Sequence, residues 1–242
     1  MRGSAAVADA GWIEVRHDAE RSRVRLTISD SLRADLVPLL AAVRRQFDLD
    51  CDPHRVGETL GSLAAFRPGL RLPGAIDGFE QAVRAILGQQ VSVAAATTLA
   101  GRLVLRHGTP VATPFTALTH RFPTASELSL RGESDLTELG ILATRARSIL
   151  ALARVVASGE LRLDADAPLA RTQAQLLELP GIGEWTAQYI ALRCLSWPDA
   201  FPHTDLIIRR AFPGLTPQQV LTAAECWRPW RGYATLHLWK QA

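Results

Sequence analysis

Two short segments near the start of the chain have the pattern of β-strands. Apolar and polar residues alternate over 23–28, and a shorter apolar run lies at 12–15. A period of two predicts strands, and the polar stretch between them predicts a hairpin turn. Ser31 then precedes apolar residues at helical spacing up to Val43, which predicts a helix that begins at Ser31. An isolated hairpin is only marginally stable, so this unit either leans on the rest of the chain or lacks partner strands.

From Pro73 onward the strong signals are helical. Apolar residues recur at helical spacing, and Gly88-Gln89-Gln90 and Gly159 interrupt the pattern. The helices are predicted over 77–87, 92–106, 145–158, 172–179, a segment from Thr216 and the tail around 233–239. Several begin at residues that cap helices well, which are Asp77, Ser92, Thr172 and Thr216. We therefore predict a mainly α fold in which a short α/β piece (residues 1–72) precedes a helical core (residues 73–242).

The composition is that of an ordinary globular protein with one unusual feature. The 242 residues are 48% hydrophobic and 21% charged, which fits one large or two small domains. The formal net charge of +3 permits nucleic-acid binding without requiring it. The unusual feature is that Lys240 is the only lysine among 27 basic residues, which nearly excludes a buried catalytic lysine. A biased genomic base composition would also produce this excess of arginine.

Cysteine spacing and hydropathy favour a cytoplasmic protein. The three cysteines are widely separated and make no zinc or iron–sulfur spacing, so we expect one buried reduced thiol at each of Cys51, Cys194 and Cys226. No stretch approaches the roughly 20 apolar residues of a membrane span. The first residues contain no apolar signal-peptide region.

The most informative stretch runs from Leu179 to Ala187 and reads Leu-Pro-Gly-Ile-Gly-Glu-Trp-Thr-Ala. A short helix meets a Pro-Gly-x-Gly turn there and a second helix begins at once, which predicts a helix–hairpin–helix at about 172–195. Glycines allow a tight turn and the close approach of another molecule. The free N–H groups and positive dipole end of the second helix can bind a phosphate. An ordinary corner between two packed helices explains the same pattern.

Asp205 stands immediately before an apolar helix, twenty residues after Trp185. An aspartate at that position caps the helix through its side chain. A capping carboxylate stays ionised and can also present an oxygen to a cleft. Capping and catalysis are therefore compatible, and the residues alone leave both open.

Several motifs in the same order resemble the helix–hairpin–helix DNA glycosylase superfamily, and within it the 3-methyladenine DNA glycosylase II (AlkA-type) family. The resemblance extends from about residue 11 to the end of the chain. Besides the hairpin and Asp205, it rests on the runs Arg-Pro-Gly-Leu-Arg-Leu-Pro-Gly at 67–74, Ala-Ile-Leu-Gly-Gln at 85–89, Phe-Pro-Gly at 212–214 and Trp-Arg at 230–231. It implies two helical subdomains with the active cleft between them.

The resemblance also implies roles for individual residues. Asp205 holds the catalytic position. The aromatic residues that match the base pocket are Trp185, Tyr189 and Trp239. The residues that match DNA contacts are Gly181, Ile182, Gly183, Glu184 and Thr186 in the hairpin and Gln89 and Gln90 in the turn between two helices. The backbone carbonyls that match a site for a structural monovalent cation belong to Leu177, Leu179 and Ile182.

These roles imply a monofunctional glycosylase that hydrolyses the N-glycosidic bond of alkylated purines, such as 3-methyladenine and 7-methylguanine, in duplex DNA. Bond cleavage builds positive charge on the sugar, which a fixed carboxylate stabilises while it orients the attacking water. A flipped cationic base suits an aromatic pocket. Trp185 stands where strand-nicking relatives carry a lysine, so no lyase activity is expected. The chemistry requires no metal or organic cofactor.

The sequence also departs from the family pattern. Gln90 stands where a well-known member has an intercalating leucine, so it is either a polar wedge or a turn residue that joins two helices. The N-terminal segment is shorter than in the family, as in a naturally short variant or a fragment. A glycosylase for uracil or hypoxanthine and a non-catalytic module that binds damaged DNA are the alternative functions.

Smaller expectations complete the picture. We expect Trp227 and Trp230 to belong to the core. His203, near Asp205, either faces DNA or is an ordinary surface histidine, and we expect the surface position. Arg145 and Arg147 either contact phosphate or belong to a solvated helix face. The protein is expected to act as a monomer on duplex DNA.

Overall fold

The computed structural model describes residues 2–3 and 11–241. At its N-terminal end lies an antiparallel sheet of β1 (Arg2–Gly3), β2 (Ile13–Asp18) and β3 (Arg23–Ile28). The β2–β3 pair runs in register from Ile13 opposite Ile28 to Asp18 opposite Arg23, which confirms the predicted hairpin. The short edge strand β1 carries no alternating pattern, because it contributes only two residues, and the sequence did not predict it.

The helix expected from Ser31 has a different start. A 3-10 helix covers Asp30–Asp35, and the α-helix α1 covers only Leu36–Gln46. Pro38 has no N–H to donate to the carbonyl of residue 34, so α-helical hydrogen bonding cannot continue backward through this turn.

Helices form the rest of the chain, apart from the two-residue strands β4 (Thr109–Pro110) and β5 (His120–Arg121) and a 3-10 turn at Ala224–Trp227. They are α2 (Pro53–Leu60), α3 (Ser62–Ala65), α4 (Gly78–Leu87), α5 (Val93–His107), α6 (Ala125–Ser129), α7 (Glu133–Thr137), α8 (Ala143–Ala157), α9 (Leu169–Glu178), α10 (Glu184–Arg193), α11 (Leu206–Ala211), α12 (Pro217–Ala223) and α13 (Arg231–Gln241). The fold is mainly α with a small N-terminal sheet, as predicted.

Three of the four predicted capping residues stand at the start of a helix. Asp77 accepts the Phe79 and Glu80 N–H groups at 2.8 and 3.0 Å. Ser92 and Thr216 each accept one backbone N–H at the start of α5 and α12. The prediction for Thr172 is wrong, since α9 begins at Leu169 and Thr172 is buried inside it. Leu169, Thr172 and Leu176 share the inward helix face, so burial rather than capping fixes the start of α9.

Buried side chains form three clusters. The sheet and α1 enclose a small one around Ile13 and Leu39. The largest cluster spans α2 to α10 and takes Leu236 from α13, whereas a compact C-terminal cluster takes Leu238 from the same helix. The end of α13 therefore lies where the two helical clusters meet. This arrangement matches the two helical subdomains that the resemblance implies.

A buried ion pair fixes the other end of α13. Arg231 donates from Nε and Nη2 to the two oxygens of Asp199 at 2.8 and 2.7 Å, and both residues are nearly inaccessible. Arg228 donates to the same carboxylate at 2.7 Å. This paired geometry holds the first turn of α13 against the loop that follows α10.

The cysteine prediction is correct for burial at one position only. Cys194 is buried, Cys51 is partly exposed and Cys226 is exposed. Cys226 lies in the 3-10 turn, where its thiol donates to the Ala223 carbonyl instead of packing in a core. Within residues 2–3 and 11–241, no helix has both the length and the apolar character needed to cross a bilayer.

Candidate functional site

The structure places Asp205 where α10, α11 and α13 converge. Its carboxylate caps α11, since Oδ1 accepts the N–H groups of Ile207 and Ile208 at 2.9 and 3.2 Å. The Trp239 indole Nε1 of α13 donates to the same oxygen at 3.0 Å, and the Trp185 indole of α10 donates to Oδ2 at 2.8 Å. Four N–H donors from three helices thus hold one carboxylate.

The donors are shared unequally between the two oxygens. Among the described residues, Oδ1 accepts three hydrogen bonds, whereas Oδ2 accepts only the bond from Trp185. Oδ2 therefore keeps a lone pair that can face a sugar or a water molecule. Asp205 is partly exposed, which access of a sugar or a water molecule to Oδ2 requires.

The three predicted pocket aromatics lie together beside this carboxylate. Trp185 and Tyr189 stack with their ring centroids 5.2 Å apart and their planes 12° apart, and Tyr189 is 6.2 Å from Trp239. Trp185 and Tyr189 are one turn apart on α10, so the stack follows from their spacing. Because they stack on each other, a base cannot enter between them. The accessible ring faces must be the outer faces of the cluster.

Tyr189 is further restrained by residues that the sequence did not single out. Arg193, one turn later on α10, donates to the Tyr189 hydroxyl at 3.0 Å and to the Pro73 carbonyl at 2.6 Å. Gln81 of α4 donates to the same hydroxyl at 3.4 Å. The four-residue spacing of Trp185, Tyr189 and Arg193 is the signal that could have found this column. Tyr189 therefore mainly supports the Trp185 ring and contributes less open surface to the base pocket.

The hairpin between α9 and α10 has the expected backbone geometry. Gly181 adopts a φ of 73°, and a Cβ there would overlap the Ser148 hydroxyl. A Cβ on Gly183 would meet only open space, so this residue faces outward. Gly183 precedes the first residue of α10 and has no side chain to cap it, so no side chain of the described residues caps the first-turn amides of this helix. This end of α10 can accept an anion at its backbone.

Two predicted DNA-contact residues have their side chains turned inward. Ile182 and Thr186 are 5% and 3% exposed, so any contact that they make with DNA must come from their backbone. The Thr186 side chain lies against the protein, where its hydroxyl accepts a hydrogen bond from Gln89 at 3.0 Å. The DNA contacts of both residues stay a prediction.

Glu184 is the outward side chain at the start of α10. It is exposed, and its carboxylate lies 3.7 Å from Nε2 of His203. The expected surface position of His203 is wrong, because it is buried at 7% exposure next to the segment that carries Asp205. A carboxylate at a helix start stabilises the helix, but it repels a phosphate that approaches the same amides.

The turn that carries Gln89 and Gln90 lies next to the hairpin. Gln90 is exposed with a φ of 54°, and Gln89 is half-buried. The Gln89 amide donates to the Gly181 carbonyl and to the Thr186 hydroxyl, both at 3.0 Å. Arg145 of α8 is buried and donates to the Gln89 carbonyl, so neither alternative offered for Arg145, phosphate contact or a solvated face, describes it.

The remaining predicted residues fall into place. Trp227 and Trp230 pack against the core, as predicted. Lys240, the single lysine, is exposed on the last turn of α13 beside Trp239. The part of the chain that the structure describes contains no group of three or more His, Cys, Asp or Glu residues that could hold a metal ion.

The three carbonyls expected at a monovalent cation belong to α9 and the hairpin. The Leu179 carbonyl accepts the Ile182 N–H at 3.2 Å, which leaves it one lone pair. Neutral carbonyl oxygens suit a weakly held monovalent cation. The donor set at Leu177, Leu179 and Ile182 is therefore chemically compatible with the ion, which remains a prediction.

Comparison with known proteins gives consistent matches along the chain. Residues 2–77 match the AlkA N-terminal domain, and residues 83–230 match the HhH-GPD superfamily of base excision DNA repair proteins. The chain is 40% identical over 229 residues to DNA-3-methyladenine glycosylase 2 of Escherichia coli (strain K12), covering 95% of this chain and 80% of that protein.

Solved structures share the fold at lower identity. A 3-methyladenine DNA-glycosylase from Archaeoglobus fulgidus superposes with a TM-score of 0.83 at 22% identity, over 99% of this chain and 85% of that one. A Clostridium acetobutylicum 8-oxoguanine glycosylase/lyase in complex with double-stranded DNA superposes with a TM-score of 0.77 at 18% identity, over 99% and 87%.

Proposed function

The chain belongs to the HhH-GPD superfamily of base excision DNA repair proteins, and we propose that it is a DNA glycosylase that hydrolyses the N-glycosidic bond of alkylated purines in duplex DNA. The observation that carries the proposal is the Asp205 carboxylate, which four N–H donors fix beside an aromatic cluster. A purely capping aspartate needs only the two backbone donors of α11. The two indole donors fix the orientation of the carboxylate beyond what capping needs, which supports a catalytic role.

Asp205 acts on the sugar. As the bond from C1′ to the base nitrogen breaks, positive charge develops on the sugar ring, and the fixed carboxylate stabilises it. The less engaged oxygen, Oδ2, can orient a water molecule for attack at C1′ and take up its proton. The indole donors keep the carboxylate in one orientation throughout, so little reorganisation accompanies the reaction.

The aromatic cluster acts on the base. A 3-methyladenine or 7-methylguanine base carries a positive charge while it is attached to DNA and is therefore both a good leaving group and a partner for ring faces. The outer faces of Trp185 and Trp239 are the candidates, since both indoles point their N–H edges at Asp205. A base that stacks there has its glycosidic bond close to the carboxylate.

The hairpin acts on the DNA backbone. The uncovered amides at the start of α10 would bind a phosphate near the lesion and fix the register of the duplex without reading its sequence. A monovalent cation held by the carbonyls of Leu177, Leu179 and Ile182 would add positive charge on the same side. Backbone dipoles thus supply part of the attraction that a chain with a net charge of only +3 lacks in side chains.

The enzyme is expected to leave an abasic site and not to nick the strand. Strand nicking through a Schiff base needs an amine next to C1′. Trp185 occupies the hairpin position, and Lys240, the only lysine, is exposed at the end of α13. Borohydride reduction during the reaction should trap no covalent protein–DNA adduct, and an adduct would contradict this part of the proposal.

Release of methylated bases tests the proposal directly. The wild-type chain should release 3-methyladenine and 7-methylguanine from a methylated duplex, and Asp205→Asn should lower the rate by about 10²-fold or more. Asparagine caps helices as well as aspartate does, so the variant should fold. Its amide nitrogen would face the Trp185 N–H without being able to accept it.

Asp166→Asn, an exposed change, is the matched control and should keep the wild-type rate. If the wild type releases neither base, the proposed activity is wrong. Release of uracil or hypoxanthine instead would move the proposal to another glycosylase specificity. Binding of damaged duplex without release of any base would support the non-catalytic module.

A further inference from the structure

The turn between α4 and α5 has a constrained shape. Residues 88–92 join the two helices, and Gln90 adopts a φ of 54°, a conformation that a side-chain-bearing residue rarely takes. Gln90 is exposed at the tip of this turn. A left-handed residue persists only where the surroundings hold it.

Two side chains hold the turn from the protein side. The Gln89 side-chain amide donates to the Gly181 carbonyl and to the Thr186 hydroxyl, both at 3.0 Å, and so links the turn to the hairpin. Arg145 reaches the Gln89 carbonyl from α8. One residue of the turn is thus fixed at its side chain by the hairpin and at its backbone by α8.

The same helix also supports the hairpin. Ser148, almost one turn after Arg145, is 1% exposed and lies directly under Gly181, where a Cβ would overlap its hydroxyl. The N-terminal half of α8 therefore backs the turn through Arg145 and the hairpin through Ser148. The turn and the hairpin are therefore supported by the same half of one helix.

The burial of Arg145 has an energetic cost that helix stability alone does not explain. It is only 8% exposed, and the described residues place no carboxylate within ion-pair distance of it. Burying a charge without a counter-charge is costly, and an apolar residue would fill the same space more favourably. Its guanidinium is accounted for by the turn that it supports.

We propose that Arg145 is a positioning residue for base extrusion: together with Gln89 it locks the exposed Gln90 in fixed register with the hairpin. This inference rests on the proposed function. Phosphate binding at the hairpin would then set where Gln90 enters the duplex. As the hairpin docks on the DNA, the turn that carries Gln90 would be driven into the base stack. Gln89 serves this link rather than a direct contact with DNA.

The proposal separates extrusion from chemistry and from docking. Arg145→Met keeps the aliphatic stem but removes the donor, and Gln89→Met removes the link to the hairpin. On a fully paired methylated duplex, each should lower the single-turnover rate by on the order of 10²-fold, as a misplaced group of this kind does. Binding of an undamaged duplex should stay within about twofold of the wild type, because the hairpin amides are unchanged.

A substrate with an already unpaired lesion distinguishes positioning from structural damage. When the methylated base lies opposite an abasic site, no extrusion from a pair is needed, and both variants should recover to within about threefold of the wild type. Fluorescence of 2-aminopurine next to the lesion should rise on binding of the wild type and stay low with the variants. Because Arg145 and Gln89 act as one unit, the double variant should be no slower than the single ones.

Arg154→Met, an exposed change on the same helix, is the matched control and should behave as the wild type on both substrates. A variant that is equally slow on paired and unpaired lesions, or wild-type activity of Arg145→Met on the paired duplex, would overturn the inference. If the wild type releases no base from either substrate, the proposed function fails instead. The fluorescence arm still tests the positioning role in that case.

Discussion

The unequal sharing of donors at Asp205 predicts that the two pocket tryptophans are not equivalent. Trp185→Phe and Trp239→Phe each keep an aromatic ring and remove one indole N–H. The first leaves Oδ2 without a donor among the described residues, whereas the second leaves Oδ1 with the Ile207 and Ile208 amides. We therefore expect Trp185→Phe to impair catalysis more than Trp239→Phe.

The size of the difference follows from the hydrogen bonds. A hydrogen bond to a charged group contributes about 1.5–3 kcal/mol, which corresponds to roughly a 10- to 150-fold change in rate if the transition state loses all of it. Trp185→Phe should approach this range. Trp239→Phe should lose on the order of tenfold or less, because two backbone donors still fix the oxygen that it leaves.

Single-turnover release of 7-methylguanine from a methylated duplex measures both variants without interference from product release. Trp227→Phe is the control, since Trp227 packs in the core and does not donate to Asp205. A Trp185→Phe rate within twofold of the wild type would show that the indole N–H has no positioning role. A larger loss for Trp239→Phe than for Trp185→Phe would refute the argument from the free lone pair.

Three further predictions address binding and stability. Glu184→Gln should tighten binding of undamaged duplex by about threefold at low salt, since two like charges some 6 Å apart in water repel by about 0.7 kcal/mol, and titration at high salt should remove the gain. A hydrogen bond from Arg121 lowers the pKa of Glu127 to about 2, so this pair stabilises the fold above about pH 4.3 and loses its effect as the pH falls toward 2. Glu127→Gln should therefore cost about 1 kcal/mol of unfolding free energy at pH 7, after allowance for solvent screening, and less at pH 3 in urea titrations; equal losses would contradict the assignment. Arg231→Met should cost about 3 kcal/mol by urea titration, because it leaves Asp199 buried with only an exposed partner, and a loss under 1 kcal/mol would mean that the buried pair contributes little.

Local signals in the sequence predicted much of the fold. Asp77, Ser92 and Thr216 cap helices as expected because capping depends on residues two or three positions away. The prediction at Thr172 was wrong because burial against distant helices extended α9 backward over its apolar face. The two-residue strand β1 could not be predicted because its pairing with β2 is a long-range contact.

The candidate site divides along the same line. The resemblance singled out Asp205, Trp185 and Trp239, and the fold brings them together, although their roles remain predictions. The sequence could not show that both indoles donate to one carboxylate, because Trp185 and Trp239 are 20 and 34 positions from Asp205 in the chain and lie on different helices. The support of the turn by Arg145 was equally hidden, because it joins residues 56 positions apart.

The exposed Lys240 makes the chain suited to site-specific labelling. An amine-reactive fluorophore has one lysine side chain to react with in this sequence. A dye on Lys240 would follow Trp239 directly in the chain, on the last turn of α13. Energy transfer to a dye on the duplex could then report the arrival of DNA in real time, without an engineered cysteine anywhere in the chain.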